Sequence, residues 1–290
     1  MPFQPSDPLP PILHDQIFAG DLAAVAASYE ILSPDPDGLL MGIAARAVSS
    51  GQVAILEWTF TRGLQLPRRS VNHHLYHCAS DCRSPDVWRV LFAHGYDLNA
   101  HQSEVGDALS NAVWDGDIAF AAFLLEEGGA DPNSAGGYDM NECGICAFRG
   151  EHRERAPELL RLLLRHGWKP TVPRRAGSRG ATAVAAAELG LLDELRVLVE
   201  EGGADIVAAE PWFTGEPDGG DPWAWGTPLY RAAYRGQEAT VAYLLDRGAD
   251  PTFKDDKGRS SLWAARHGEN DKVVQMFMDR GIVSEGEGVE

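Results

Sequence analysis

Cysteine and histidine side chains at metal-ligand spacing offer one kind of chemistry in this chain. The four cysteines are Cys78, Cys82, Cys143 and Cys146. The last two form a CxxC pair, a spacing found in many zinc sites. His74 and His77 lie three residues apart, so one short helix could turn both imidazoles toward a metal. Whether these groups bind zinc or serve the core depends on the elements that carry them.

A segment rich in both aromatic and turn-forming residues, 208–226, offers a second kind of chemistry. It reads AAEPWFTGEPDGGDPWAWG, and its four large rings are Trp212, Phe213, Trp223 and Trp225. Its glycines and prolines disfavour regular structure, whereas a flexible linker would contain few aromatic residues. The rings could cover neighbouring apolar surface, stay without fixed structure, or form the wall of a ligand or partner site, since Trp is enriched in binding hot spots.

The elements that position these residues repeat along the chain, and the best preserved block is TPLYRAAYRGQEATVAYLLDRG at 227–248. Its apolar positions, three and four residues apart, are Leu229, Ala232 and Ala233, followed by Val241, Leu244 and Leu245. This spacing predicts two helices that each bury one stripe. Gly236 separates the helices, and Gly248 stands where a left-handed C-terminal cap requires a residue without Cβ.

Eight blocks of this form follow one another at a nearly constant period. They start at Pro11, Gly42, His74, Asp107, Asn141, Ala181, Thr227 and Ser260, with spacings of 31, 32, 33, 34, 40, 46 and 33 residues. Such a period predicts a stacked repeat array. The TPLYRAA opening, the glycine turn and the LLDRGADP close resemble ankyrin repeats, and the close recurs at 124–132 and 198–205. The resemblance covers roughly residues 11 to 283.

The resemblance implies an all-α fold, an ankyrin-repeat solenoid of stacked helix-turn-helix units with short β-hairpin fingers. A single domain over 1–290 is expected, and the 208–226 segment becomes an enlarged finger of the sixth repeat. The cysteines then fall in the third and fifth repeats, with a whole repeat of helices spaced roughly 8–10 Å apart between them. We therefore expect buried thiols and no metal site. His77 falls where ankyrin repeats commonly carry a histidine that tethers neighbouring turns.

The resemblance also implies a binding surface, because the two residues before each turn glycine of an ankyrin repeat face the concave groove. In the fourth to seventh repeats these positions hold Trp114, Asp115, Phe148, Arg149, Glu188, Tyr234 and Arg235. With the four rings of the 208–226 segment, they form the predicted binding site. Rings with a few converging charges suit a peptide groove or a ligand pocket. The alternative is that the rings pack between adjacent repeats.

Charge limits the classes of partner. The chain holds 25 Lys and Arg against 43 Asp and Glu, a net charge of −18, which disfavours nucleic acid and anionic membranes. No apolar run approaches 18 residues, and no Lys or Arg precedes Arg46, so neither a membrane span nor a secretory signal is expected. The expected location is the cytoplasm, with the nucleus left open. A basic band at 149–179 could neutralise the acidic 208–226 segment or bind an anionic group.

These patterns favour a non-catalytic recognition scaffold that binds a protein or peptide through its groove and 208–226 finger, without a cofactor. The alternative is an enzyme or a small-molecule-binding protein with its site between the groove and that finger. In that case Asp115, Glu188 and Tyr234 are the acid-base candidates. The sequence contains no P-loop, nucleophile elbow, dinucleotide-binding turn or HExxH motif. Neither the identity of the partner nor the oligomeric state is indicated.

Overall fold

The computed structural model describes most of the chain as helix pairs. It describes residues 9–32, 36–66, 75, 78–79, 82–99, 108–133, 144, 147–148, 152–170, 182–213, 223–254 and 257–282. The chain divides into two compact units, Met1–Tyr138 (unit 1) and Asp139–Glu290 (unit 2). The predicted all-α fold of stacked helix-turn-helix units with a hairpin finger is confirmed.

Unit 1 contains three helix pairs and one further second helix in its described part. The helices are α1 (Pro11–Phe18), α2 (Leu22–Leu32), α3 (Pro36–Ser49), α4 (Val53–Thr61), α5 (Pro85–Ala93), α6 (Ala108–Trp114) and α7 (Ile118–Glu126). Helix α1 packs against α3, whereas α2 packs against α4 and α4 against α5. First helices therefore stack on first helices, and second helices stack on second helices.

Within unit 2 the helices have the same kind of arrangement. Its elements are a 3-10 turn (Arg153–Arg155), α8 (Ala156–Arg165), α9 (Ala183–Leu189), α10 (Leu192–Arg196) with a π-helical turn (Val197–Glu201), β1 (Glu210–Phe213), β2 (Trp223–Gly226), α11 (Pro228–Tyr234), α12 (Glu238–Asp246), α13 (Ser261–His267) and α14 (Asp271–Asp279). Helices α9, α11 and α13 stack as first helices, and α12 packs on α14. Strands β1 and β2 are antiparallel, with Glu210 opposite Gly226 and Phe213 opposite Trp223.

The core consists of the stripes that the repeat pattern predicts. In the best preserved block, the fully buried side chains are Leu229, Ala232, Ala233, Val241 and Leu244. Leu245 is only half buried, so the second helix has a narrower stripe than predicted. Gly248 adopts a φ of 84°, which confirms the predicted left-handed cap, and Gly236, which was predicted only to separate the helices, is left-handed as well, with a φ of 70°.

An amide side chain from the next repeat packs onto several turn glycines. Gln52 Nε2 donates to the carbonyl of Phe18 (3.3 Å), and Gln237 Nε2 donates to the carbonyl of Glu188 (3.1 Å). Asn270 Nδ2 donates to the carbonyls of Ala233 (3.0 Å) and Tyr234 (2.8 Å). A Cβ on Gly190 or Gly236 would collide with this amide. Glycine is therefore required there for space as well as for its positive φ.

In other repeats the residue that follows the turn glycine is an aspartate, and it has a different function. Asp21 and Asp117 accept hydrogen bonds from the backbone N–H groups of Ala24 (2.9 Å) and Phe120 (3.0 Å), and so cap their own helices. A carboxylate can only accept hydrogen bonds, whereas an amide also donates them. An aspartate that follows the turn glycine therefore caps the second helix of its own pair. An Asn or Gln at that position instead ties its helix pair to the preceding helix pair.

Two predictions about organisation remain predictions. The first helices of the third and fifth repeats lie mostly outside the described residues, so the count of eight repeats is not established. The single domain over 1–290 also stays a prediction beside the two units. In the described part of the chain, no helix has the length and hydropathy needed to cross a bilayer.

Candidate functional site

The predicted row of groove residues begins in unit 1 at the end of α6. Trp114 ends this helix and is 40% exposed. Asp115 follows it, and its carboxylate forms an ion pair with Arg83 of the preceding repeat; the two side chains are 48% and 28% exposed. The guanidinium of Arg83 also lies over the ring of Phe120, 5.4 Å from its centroid. The Asp115 carboxylate is therefore engaged by an arginine but still hydrated.

In unit 2 the row contains a second ion pair with a buried acid. Glu188, at the end of α9, is 4% exposed, and Arg235, which follows α11, is 50% exposed. The Nε and Nη2 atoms of Arg235 both donate to Glu188 Oε1, at 3.0 and 2.9 Å. Gln237 donates to the backbone carbonyl of the same glutamate. The seventh repeat thus holds Glu188 by both side chain and backbone.

Burial affects the charges around Glu188. Its second oxygen, Oε2, is buried and has no hydrogen-bond partner in the part of the chain that the structure describes. Arg231, one turn before Arg235, is almost fully buried. Burial lowers the pKa of this guanidinium, and the negative charge of Glu188 opposes the shift. Glu188 therefore interacts electrostatically with two arginines of α11 and its turn.

A row of rings continues from Arg235 across the last two first helices. The Arg235 guanidinium lies 5.6 Å from the Tyr234 ring centroid, and the Tyr234 and His267 centroids are 6.1 Å apart. His267 stacks on Trp263 at 4.5 Å with an interplanar angle of 18°. We call Glu188, Tyr234, Arg235, Trp263 and His267 the α9–α11–α13 surface. It combines an oriented guanidinium with exposed or half-buried rings.

Sequence reasoning missed two members of this surface, Trp263 and His267. For His267 the reason is that Glu269, with φ of 55°, stands at the position of the turn glycine Gly236, whereas Trp263 lies one turn before the pair positions, at the position of Tyr230. For His267, the register of the repeat blocks contains the signal. With blocks starting at Thr227 and Ser260, the position of Tyr234 corresponds to His267.

Other predicted site residues are buried or lie outside the described residues. Phe148 is buried, and Arg149 lies outside the described part. For Trp212, Phe213, Trp223 and Trp225 only the hairpin backbone is described. The hairpin base packs on α11, since a Cβ on Gly226 would lie 3.2 Å from Arg231 Nε. None of these findings tests whether the predicted residues bind a partner.

The basic band is described only in part. The exposed Arg153 and Arg155 form the 3-10 turn before α8, and Arg161 donates from Nε to Glu201 at 2.7 Å. The acidic side chains of the 208–226 segment lie outside the described part. Neutralisation of the band by that segment stays a prediction.

The thiols and histidines of the metal hypothesis are also described only in part. Cys78 is half buried and Cys82 is buried, and burial raises the pKa of the Cys82 thiol. Cys143, Cys146, His74 and His77 lie outside the described residues. Within the described residues, no group of three or more potential ligands could hold a metal ion.

Comparison with known proteins identifies one repeat. The family model of the ankyrin repeat matches residues 226–256, which include α11 and α12. A search of curated proteins found no match. The chain therefore contains an ankyrin repeat, and its stacked helix pairs give it the all-α ankyrin-repeat fold. The ankyrin repeat as a family is a known protein-protein interaction module.

Proposed function

We propose that this protein is a non-catalytic recognition scaffold that binds a protein or peptide on the α9–α11–α13 surface and the 208–226 segment. The carrying observation is a row of successive contacts, in which Arg235 lies over Tyr234, Tyr234 lies beside His267, and His267 stacks on Trp263. Aromatic and arginine side chains are the types most enriched in binding hot spots.

The scaffold beneath this surface supports binding because it is already ordered. Asn270 ties α14 to the end of α11 with two hydrogen bonds, and Gln237 ties α12 to the end of α9. Side chains fixed in this way lose little conformational entropy when a partner binds. The acid-base candidate Glu188 is buried and accepts both hydrogen bonds of Arg235, an arrangement that fixes a charge in place.

The test is selection of peptides from a random display library on the folded wild-type protein. Peptides selected by the α9–α11–α13 surface should lose about 30-fold or more in affinity when Tyr234 or His267 is changed to Ala, the effect of a hot spot of about 2 kcal/mol. Tyr243→Ala is the matched control, because Tyr243 also lies beside an arginine, Arg247, but on a second helix. Thermal unfolding of each variant would show that it is folded.

Two outcomes would overturn the proposed function. Failure to enrich any peptide on wild type over a blank surface is the first. The second is an equal loss for Tyr243→Ala and Tyr234→Ala, which would place the binding surface elsewhere.

The role of the 208–226 segment needs a separate variant. Replacing it by a short hairpin should destabilise the protein only modestly and should remove most of the peptide affinity. Trp223→Ala and Trp225→Ala should each cost about 2 kcal/mol in binding while the thermal midpoint stays nearly constant. If both single variants bind as wild type does, the segment is structural and only the helical part of the proposed surface remains.

A further inference from the structure

We propose that the bound segment presents a carboxylate, which Arg235 binds through the edge of its guanidinium that faces away from Glu188. This inference rests on the proposed function and names the chemistry of the partner: an acidic peptide segment whose Asp or Glu side chain contacts Arg235.

The argument starts from the geometry of the guanidinium. This planar group has five N–H donors, and two of its edges each present a parallel pair. The edge of Nε and Nη2 already donates to Glu188 Oε1, at 3.0 and 2.9 Å. The other edge consists of Nη1 and the second Nη2 hydrogen, and within the described residues it has no acceptor. A carboxylate matches the spacing of that edge and would form two parallel, charge-assisted hydrogen bonds.

The outer edge of the Arg235 guanidinium is accessible to a partner, and its orientation is fixed. The Arg235 side chain is half exposed, whereas the Glu188 side chain that orients it is almost fully buried. Because Glu188 is held at its backbone by Gln237 as well, the inner edge of Arg235 has a fixed anchor. The outer edge is therefore held in one orientation before a partner arrives, which lowers the entropic cost of binding.

A second carboxylate near Glu188 would be repelled if the charge of Glu188 were not offset. Arg235 offsets it directly, and Arg231 does so from the preceding turn, within α11, since the charge of Glu188 opposes the burial-induced lowering of the pKa of Arg231. The net charge of −18 acts at long range, and salt screens it beyond roughly 8 Å. The guanidinium edge acts at hydrogen-bonding distance, where this screening is weak.

The neighbours of Arg235 define the rest of the segment. Arg235 lies over the Tyr234 ring, Tyr234 lies beside His267, and His267 stacks on Trp263. Such rings favour apolar or aromatic contacts. We therefore expect the acidic residue of the ligand to be followed or preceded by an apolar or aromatic one.

The experiment uses random peptides displayed on phage, selected in parallel on folded wild type, Arg235→Lys and Arg247→Lys. Lysine keeps the positive charge but cannot form the bidentate contact. Arg247 is the matched control, because it also lies over a tyrosine ring, that of Tyr243 at 5.2 Å, and pairs with a glutamate of the preceding repeat, Glu200. It differs in lying beside the second helices.

The expected result is a set of peptides with Asp or Glu at one fixed position, enriched about 10-fold or more on wild type and Arg247→Lys but not on Arg235→Lys. Changing this residue to Asn or Gln in a synthetic peptide should weaken binding to wild type about 10-fold or more, as expected for a hydrogen bond between charged groups. The same peptide change should have little effect on binding to the Arg235→Lys variant, because the bidentate guanidinium contact is already absent there.

The outcomes separate this inference from the function on which it rests. If wild type selects no peptides, the proposed function fails. If it selects peptides that tolerate the change from acid to amide, the carboxylate inference is overturned and the scaffold function stands. The peptide change needs no protein variant, so it decides the question even if Arg235→Lys does not fold.

Discussion

The two units each carry an ion pair between consecutive repeats at the ends of their first helices, and the pairs differ in where the carboxylate lies. In unit 1 the earlier repeat supplies Arg83 and the later one Asp115. In unit 2 the order is reversed, with Glu188 first and Arg235 second. Asp115 remains about half exposed, whereas Glu188 is almost completely buried.

This difference determines how much each pair matters. An exposed carboxylate that loses its partner regains water, so an exposed ion pair contributes little to stability. A buried carboxylate that loses its partner stays desolvated, which is strongly unfavourable. The comparison indicates that Arg235 is needed to keep α9 packed, whereas Arg83 adds little.

The largest expected effect follows from removing Arg235. Arg235→Ala should lower the free energy of unfolding by about 3 kcal/mol, the lower end of the range for a broken buried pair, because Arg235 itself is half exposed. Urea unfolding followed by circular dichroism would measure it. Adding Glu188→Gln should restore part of the loss, because it removes the unpaired buried carboxylate but also the negative charge that acts on the buried Arg231. Failure of this second change to restore stability would show that packing of the arginine, rather than its charge, is what matters.

The corresponding change in unit 1 should have a much smaller effect. Arg83→Ala leaves Asp115 exposed to water, so the expected loss is at most about 1 kcal/mol. The same urea measurement applies. A loss equal to that of Arg235→Ala would contradict the comparison between the two pairs.

Glu194 sharpens the comparison, because it is a buried acid without an ion pair in the described part of the chain. It is 7% exposed, and burial raises its pKa above the ordinary 4.5. Stability from Glu194 is therefore fully present below pH 4.5 and is lost as pH rises through the higher folded-state pKa. Glu194→Gln should flatten the pH dependence over this window and stabilise the protein at pH 7 relative to low pH. Parallel stability curves for wild type and variant would contradict this.

The smallest effect is expected at Asp250, an exposed acid that accepts hydrogen bonds from neutral donors. The hydroxyl of Thr252 at 2.6 Å, and then its backbone N–H at 2.8 Å, lower the pKa of Asp250 below 3.8. The contribution of these hydrogen bonds to the free energy of unfolding is present above pH 3.8, and it is lost as pH falls through the lower pKa of Asp250 in the folded state. Thr252→Val should cost about 0.5 kcal/mol at neutral pH and less in acid. A cost that does not change with pH would show that the hydroxyl acts on something other than the Asp250 charge.

The sequence was sufficient to predict most of the fold because its signals are local. Apolar spacing located α11 and α12, Gly236 separates them as predicted, and Gly248 has the left-handed backbone that was expected. The buried stripe of α12 is narrower than predicted, since Leu245, which was expected to be buried, is only half buried. Side-chain depth depends on the neighbouring repeat, which the spacing within one block does not describe.

The candidate site was predicted in part. Register placed Glu188, Tyr234 and Arg235 in one row although 46 residues separate the first two, because equivalent positions of stacked repeats come together. His267 was missed because Glu269 replaced the glycine that marked the register, and Trp263 was missed because it lies one turn earlier, at the position of Tyr230. Whether these residues bind a partner stays a proposal.

The sequence by itself determined the repeat, the turns and the types of side chain at the end of each first helix, since all of these follow from local spacing and backbone conformation. Only the tertiary structure decided that Glu188 is buried and that Arg235 donates both of its hydrogen bonds to one carboxylate oxygen. The physical reason is that burial and charge pairing are set by how adjacent repeats stack, and a carboxylate becomes dependent on its partner only when that stacking removes its water.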